Sequence, residues 1–143
     1  MINTATGVFN IADAIAINPL APAETLLNFF EINNAEKWNV GNDWMHYYLK
    51  NFKIGQAYYF FDFMFFKNIL NRLDFCFFDQ PVKNASWNDW SEENELKKKL
   101  NYEAWLDSEF GSSRNFKWGG ISSYYDSKGG SSGIMIKYYN SKV

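Results

Sequence analysis

Histidine and cysteine occur once each in this chain, as His46 and Cys76, and proline only three times. A single cysteine excludes an intramolecular disulfide and fits a reducing compartment. Within Phe75-Cys76-Phe77-Phe78 it is most simply a small buried hydrophobe. The lone imidazole lies among aromatics, in Trp44-Met45-His46-Tyr47-Tyr48, with no motif placing a serine or cysteine nucleophile beside it. Long hydrophobic runs are missing too. The most apolar stretch, Tyr58 to Phe66, spans nine residues and contains Asp62. A membrane-crossing helix needs roughly 20 residues. The opening MINTATGVFN has neither the basic nor the apolar region of a secretory signal. These absences predict a cytoplasmic protein that is not an enzyme and holds no metal or cofactor.

What the chain has is aromatic surface: 14 Phe, 9 Tyr and 6 Trp, or 20% of 143 residues. Groups able to pack far outnumber groups able to do chemistry, which favours a binding module over a catalyst. The net charge of −2 is unevenly spread. Residues 1–46 carry five acids and one base, and residues 79–109 eight acids and four bases, whereas residues 110–143 carry one acid and five bases. No segment has the clustered basic footprint of a nucleic-acid binder. The acidic middle would steer a basic partner, although a solvated surface explains it equally well.

Periodicity divides the chain into strands and helices. Phe9, Ile11, Ile15 and Ile17 alternate with small or polar residues, as in a strand or a short hairpin around Ala12-Asp13. Pro22 suits the first turn of a short helix with Leu26, Leu27, Phe29 and Phe30 on its apolar face, ended by Asn33-Asn34. Residues 35–43 are polar and contain Gly41, and are expected to form a loop. Strands are expected over Trp44–Ile54, Tyr58–Phe66 and Leu70–Phe78, the last two joined at Lys67-Asn68 with a register that turn length leaves open. The central hairpin should put one face on the core and have the other largely covered.

Ser91 as N-cap, Glu92 and Glu93 in the first turn, and Gly111 past the end mark a second helix. Phe116–Tyr125 and Gly133–Tyr139 are two further strands. These elements predict one α+β domain over residues 1–143, an antiparallel sheet of about five to six strands flanked by two helices.

Several motifs have a plain reading beside a chemical one. Asp62 and Asp74 would form a carboxylate pair if opposed across the hairpin. The simpler expectation is an exposed stripe or pairing with Arg72, Lys50 or Lys53. The loop Ser127-Lys128-Gly129-Gly130-Ser131-Ser132-Gly133 lacks the spacing of a phosphate cradle, and its Lys precedes the glycines, so it is a hairpin loop. Trp87 and Trp90 flank the start of the second helix, where they would anchor it to the sheet or leave one ring as a binding hot spot.

A pattern in the second half of the chain joins Trp87-Asn88-Asp89-Trp90-Ser91-Glu92-Glu93, Tyr102-Glu103-Ala104-Trp105-Leu106, Gly111, Phe116-Lys117-Trp118-Gly119, and the run from Ser122 to Ser132. Over about residues 58–139 it resembles a group of small bacterial proteins. Many of these are encoded beside secreted toxins and regarded as immunity proteins of contact-dependent inhibition or related polymorphic toxin systems. The resemblance implies a cytoplasmic protein that binds one cognate toxin domain and blocks its active site or its access to substrate. Many such toxins are basic nucleases, and an acidic patch would speed their capture. The candidate partner-binding patch is Asp89, Trp90, Glu92, Glu93 and Glu95. Two rival expectations stand beside it. One is a homo-oligomeric module whose self-interface uses the Tyr58–Phe66 aromatics. The other is a small-ligand protein or enzyme with a pocket at the Tyr58–Phe78 hairpin, lined by Tyr58, Phe60, Asp62 and His46.

Overall fold

The computed structural model describes residues 1–81, 91–128 and 130–139. Its centre is a six-stranded antiparallel sheet of β3 (Glu36–Gly41), β4 (Trp44–Ile54), β5 (Ala57–Phe66), β6 (Ile69–Phe78), β7 (Gly119–Asp126) and β8 (Ser131–Tyr138). The strands lie in the order β3-β4-β5-β6-β8-β7. Two short strands, β1 (Phe9–Ile11) and β2 (Ile15–Ile17), form a separate two-stranded sheet. Two α-helices, α1 (Leu27–Ile32) and α2 (Glu92–Phe110), complete the α+β architecture expected from periodicity.

The core lies on one face of the large sheet. Side chains alternate across a strand, so Tyr59, Phe61, Phe63 and Phe65 of β5 are all buried, and Leu73 and Phe75 of β6 lie beside them. The β1–β2 hairpin lies over this face, with the Phe9 ring 6.2 Å from Phe61 and 5.5 Å from Phe75. It packs on the sheet through Phe9, Ile11 and Ile17 instead of extending an edge, which buries all three side chains. Pro22, in extended conformation, precedes a single 3-10 turn at Ala23–Thr25 that runs into α1. On α1, Phe30 stacks on Tyr47 at 4.4 Å and meets Phe63 edge-on. Helix α2 covers the β7–β8 side of the sheet with Tyr102 and Leu106 buried, and Trp105 at its margin touches Phe75 and Phe77. Its start is as expected: the Asn94 amide donates to Ser91 Oγ at 3.0 Å.

Two expectations are corrected. Residues 36–41 are not loop but edge strand β3, paired to β4 through Glu36↔Tyr48 and Trp38↔His46. All six of its residues are exposed, and the single apolar pair Trp38 and Val40 among polar neighbours is too short a period to mark a strand. Strand β7 begins at Gly119, because Phe116 and Gly119 close a tight turn by exchanging backbone hydrogen bonds. The Phe116 and Trp118 rings stack there at 5.1 Å, and Trp118 Nε1 donates to the Thr4 carbonyl. The outward side chains of the central hairpin are half-buried, with Asp74 only 7% exposed, and among the described residues helices α1 and α2 lie against the opposite face.

The hairpin register rests on one extra residue. Lys67 and Asn68 both have positive φ, as a two-residue hairpin turn requires, and Phe66 pairs with Ile69 and Phe65 with Leu70. Continued unbroken, that register would set Phe63 against Arg72. A bulge at Asn71 shifts it, so Met64 pairs with Arg72, Phe63 with Leu73 and Asp62 with Asp74. Burying Phe63 and Leu73 together forces two carboxylates to face one another on the other side of the sheet.

Candidate functional site

Three rows of side chains cross the outer face, each built from direct cross-strand neighbours. Trp38, His46, Met64, Arg72 and Lys137 form the first. Glu36, Tyr48, Asp62, Asp74, Met135 and Ser122 form the second. Phe60 opposite Cys76 and Tyr124 opposite Gly133 form the third. Gly133 is needed where Tyr124 crosses it: a Cβ there would lie 2.9 Å from both Tyr124 Oη and the Phe75 carbonyl oxygen.

A polar cluster occupies the middle of these rows. His46 Nδ1 lies 3.0 Å from Asp62 Oδ1, and Tyr48 Oη lies 3.3 Å from the same nitrogen. Arg72 grips Asp74 with two hydrogen bonds, Nε to Oδ1 and a terminal nitrogen to Oδ2, each 2.7 Å. The Arg72 guanidinium also lies 5.9 Å from the centre of the Tyr124 ring. Asp74 thus has a bidentate cation, whereas the described partner of Asp62 is an imidazole. Burial pushes the Asp62 carboxyl up to about 7, with the negative charge of Asp74 adding to the rise and Arg72 opposing it. Burial lowers His46 against the pull of Asp74 and in the same direction as Arg72. Around neutral pH the pair is therefore a neutral imidazole against a carboxyl that gains or loses a proton readily. Burial also raises the Tyr48 phenol, with Asp62 contributing, so it stays a hydrogen-bond donor.

Aromatic rings surround the cluster. Trp44 and Phe66 lie 5.0 Å apart, Phe60 and Phe78 lie 5.6 Å apart, and Lys98 Nζ sits 4.9 Å over the Phe78 ring. At the edge strand, Trp38 is 58% exposed. Beside the cluster is a hollow of about 140 Å³ lined by Tyr48, Lys50, Phe60, Asp62, Asp74, Cys76 and Tyr124, among others. Shallow hollows of about 300 to 430 Å³ occur elsewhere, one of them lined by Glu103, Arg114, Ser122 and Lys137.

Chemically, the cluster can hold and exchange a proton and can receive a polar or charged group. A nucleophile is harder to find in it. Burial drives the Cys76 thiol up to about 12, which keeps it protonated. His46 Nδ1 is taken up by Asp62 and Tyr48. Among the described residues no group of three or more His, Cys, Asp or Glu side chains is arranged to hold a metal ion. Among the same residues no helix is long and apolar enough to cross a membrane.

No family model, curated protein or solved structure matches this chain.

The expected partner-binding residues sit elsewhere. Glu92 and Glu93 are exposed in the first turn of α2, and Glu93 pairs with Lys97. Glu95 is instead tucked against the sheet, accepting from Ser132 Oγ at 2.7 Å and from Lys98 Nζ at 3.0 Å. Asp89 and Trp90, like Trp87, lie outside the described residues. Of the pocket expected at the hairpin, Phe60 and Asp62 line the hollow and His46 adjoins it through Asp62, but Tyr58 turns to Lys53 instead. Arg72 pairs with Asp74 as one of the weighed expectations had it, and Lys50 pairs with Glu36. The Asn71 bulge is what assembles the cluster. Its trace in the sequence is the change of apolar phase from Ile69-Leu70 to Leu73 and Phe75.

Proposed function

We propose that this chain is a cytoplasmic immunity protein that binds a cognate toxin domain and neutralises it by direct protein–protein inhibition, with no catalytic step of its own. The observation that carries the proposal is the outer face of the six-stranded sheet. The described elements leave it without a covering layer, aromatic rings rim it, and a polar cluster held by its own hydrogen bonds occupies its centre. A rigid aromatic surface with pre-paired charges suits tight association, because few side chains lose freedom on binding and large rings anchor the contact. The hollow of about 140 Å³ is below the ~300–1,000 Å³ of small-molecule sites, which weighs against a metabolite pocket at the Tyr58–Phe78 hairpin. The resemblance of residues 58–139 to immunity proteins supplies the class of partner.

The test is co-expression with the C-terminal domain encoded by the adjacent upstream reading frame. Rescue of growth together with a one-to-one complex is the expected result. Growth arrest despite full expression of this chain, with no complex on a sizing column, would overturn it.

Edge strand β3 favours a second reading, self-association. It exposes Trp38 and Val40, 58% and 60% accessible, on a strand hydrogen-bonded on one side to β4. A sedimentation mass that rises with concentration, and that Trp38→Ser returns to the monomer value, would favour it.

A further inference from the structure

We infer that the hollow between Asp62 and Tyr124 is a socket for one arginine side chain of the protein partner. The inference rests on the docking function proposed above and names the side chain that anchors it.

Charge balance is the first argument. Asp62 and Asp74 face one another, and the guanidinium of Arg72, from the neighbouring row, is bound bidentately to Asp74. When Asp62 ionises beside a neutral His46, the two carboxylates exceed the one guanidinium by a charge. Lys50, the other cation at the hollow, is engaged with Glu36 at 3.2 Å. An incoming cation would meet a carboxylate whose ionised form is disfavoured by burial and by Asp74, and its charge would favour that form against both.

The walls are the second argument. Phe60, Tyr48 and Tyr124 line the hollow with ring surface, and the Arg72–Tyr124 approach shows one ring of this face already beside a guanidinium. A planar guanidinium stacks on such rings while its N–H groups bond a carboxylate, a combination an ammonium matches less well. The size of the hollow is the third argument, since about 140 Å³ suits a single side chain. The titratable groups around the incoming charge are His46, Tyr48 and Lys50 from β4, Arg72, Asp74 and Cys76 from β6, and Tyr124 from β7, with Glu95 and Lys98 of α2 acting on Cys76.

The experiment is an NMR titration of the full chain with Nα-acetyl-arginine methylamide, against its uncharged isostere Nα-acetyl-citrulline methylamide. The arginine derivative is expected to give saturable shifts at Tyr48, Phe60 and Tyr124, and the Asp62 midpoint should move down from about 7 toward the ordinary carboxylate range. The citrulline derivative should leave these signals in place. Asp62→Asn should weaken the arginine derivative by about tenfold or more, as losing a hydrogen bond to a charged group does. Phe60→Leu, which keeps an apolar side chain but removes the ring, should weaken it as well. Equal shifts with the two derivatives would overturn the socket, as would unchanged affinity in a folded Asp62→Asn protein. The titration needs no partner, so its failure is separable from failure of the docking proposal. A toxin domain captured equally by wild type and Asp62→Asn would retain docking and overturn the socket.

Discussion

Asp62→Asn should make this protein more stable at neutral pH and leave its stability near pH 4 almost unchanged. The carboxyl of Asp62 is raised to about 7 in the folded chain, from 3.8 when it is free. Between those values the folded protein keeps a proton that the unfolded chain has released, so stability falls as pH rises through this window. About three pH units at roughly 1.4 kcal/mol each set a ceiling of about 4 kcal/mol. The Asp62 side chain keeps 21% of its surface, and water reaching it lowers the expectation to about 2 kcal/mol. His46 works in the opposite sense. Its lowered value means that the unfolded chain takes up a proton the folded imidazole refuses, so its contribution falls as pH drops below about 6.5. Asn has the shape of Asp and still bonds the imidazole, so the substitution removes the first dependence and keeps the second. Urea unfolding followed by tryptophan fluorescence, for both proteins at several pH values from 4 to 8, measures the difference directly. Its growth with pH is the expected result. Two parallel stability curves across this range would refute the argument that Asp62 is held in its acid form by burial and by Asp74.

Phe63 is completely buried beneath the Phe30 ring, and Phe63→Ala should cost about 3–5 kcal/mol, read from the urea midpoint. Gly133→Ala would press a methyl group against the Phe75 carbonyl oxygen and Tyr124 Oη, each 2.9 Å away. It should lose about 1–3 kcal/mol in thermal unfolding, as overpacked sites do. Ser91→Ala removes the acceptor for the Asn94 amide and should cost about 1 kcal/mol in the same assay. Cys76, raised to about 12, should react with iodoacetamide at pH 8 far more slowly than free cysteine, until denaturant exposes it.

Local chemistry was enough to write most of the elements. Runs of Phe, Tyr and Ile at alternating positions specify β5 and β6, whatever lies beside them, because such side chains suit a pleated, buried surface. Ser91 and Gly111 mark the ends of α2 through bonds and dihedrals that span a few residues, and Lys67-Asn68 make the hairpin turn for the same reason. The scarcity of reactive side chains was also legible in the sequence, and burial of Cys76 deepens it.

Tertiary structure decided the rest. An edge strand such as β3 is made by hydrogen bonds to its neighbour, and in residues 36–41 only Trp38 and Val40 alternate, too short a period to announce it. By sequence Glu95 belongs to an acidic patch on the face of α2; the sheet brings Ser132 to it and Lys98 pairs with it. The outer-face cluster depends on one extra residue in β6. A hairpin register follows whichever pairing buries the most apolar surface, and that total is set by the whole core: Phe9 and Phe30 from distant segments against Phe61, Phe63 and Phe75. Asp62 and Asp74 face one another because the apolar residues behind them had to meet.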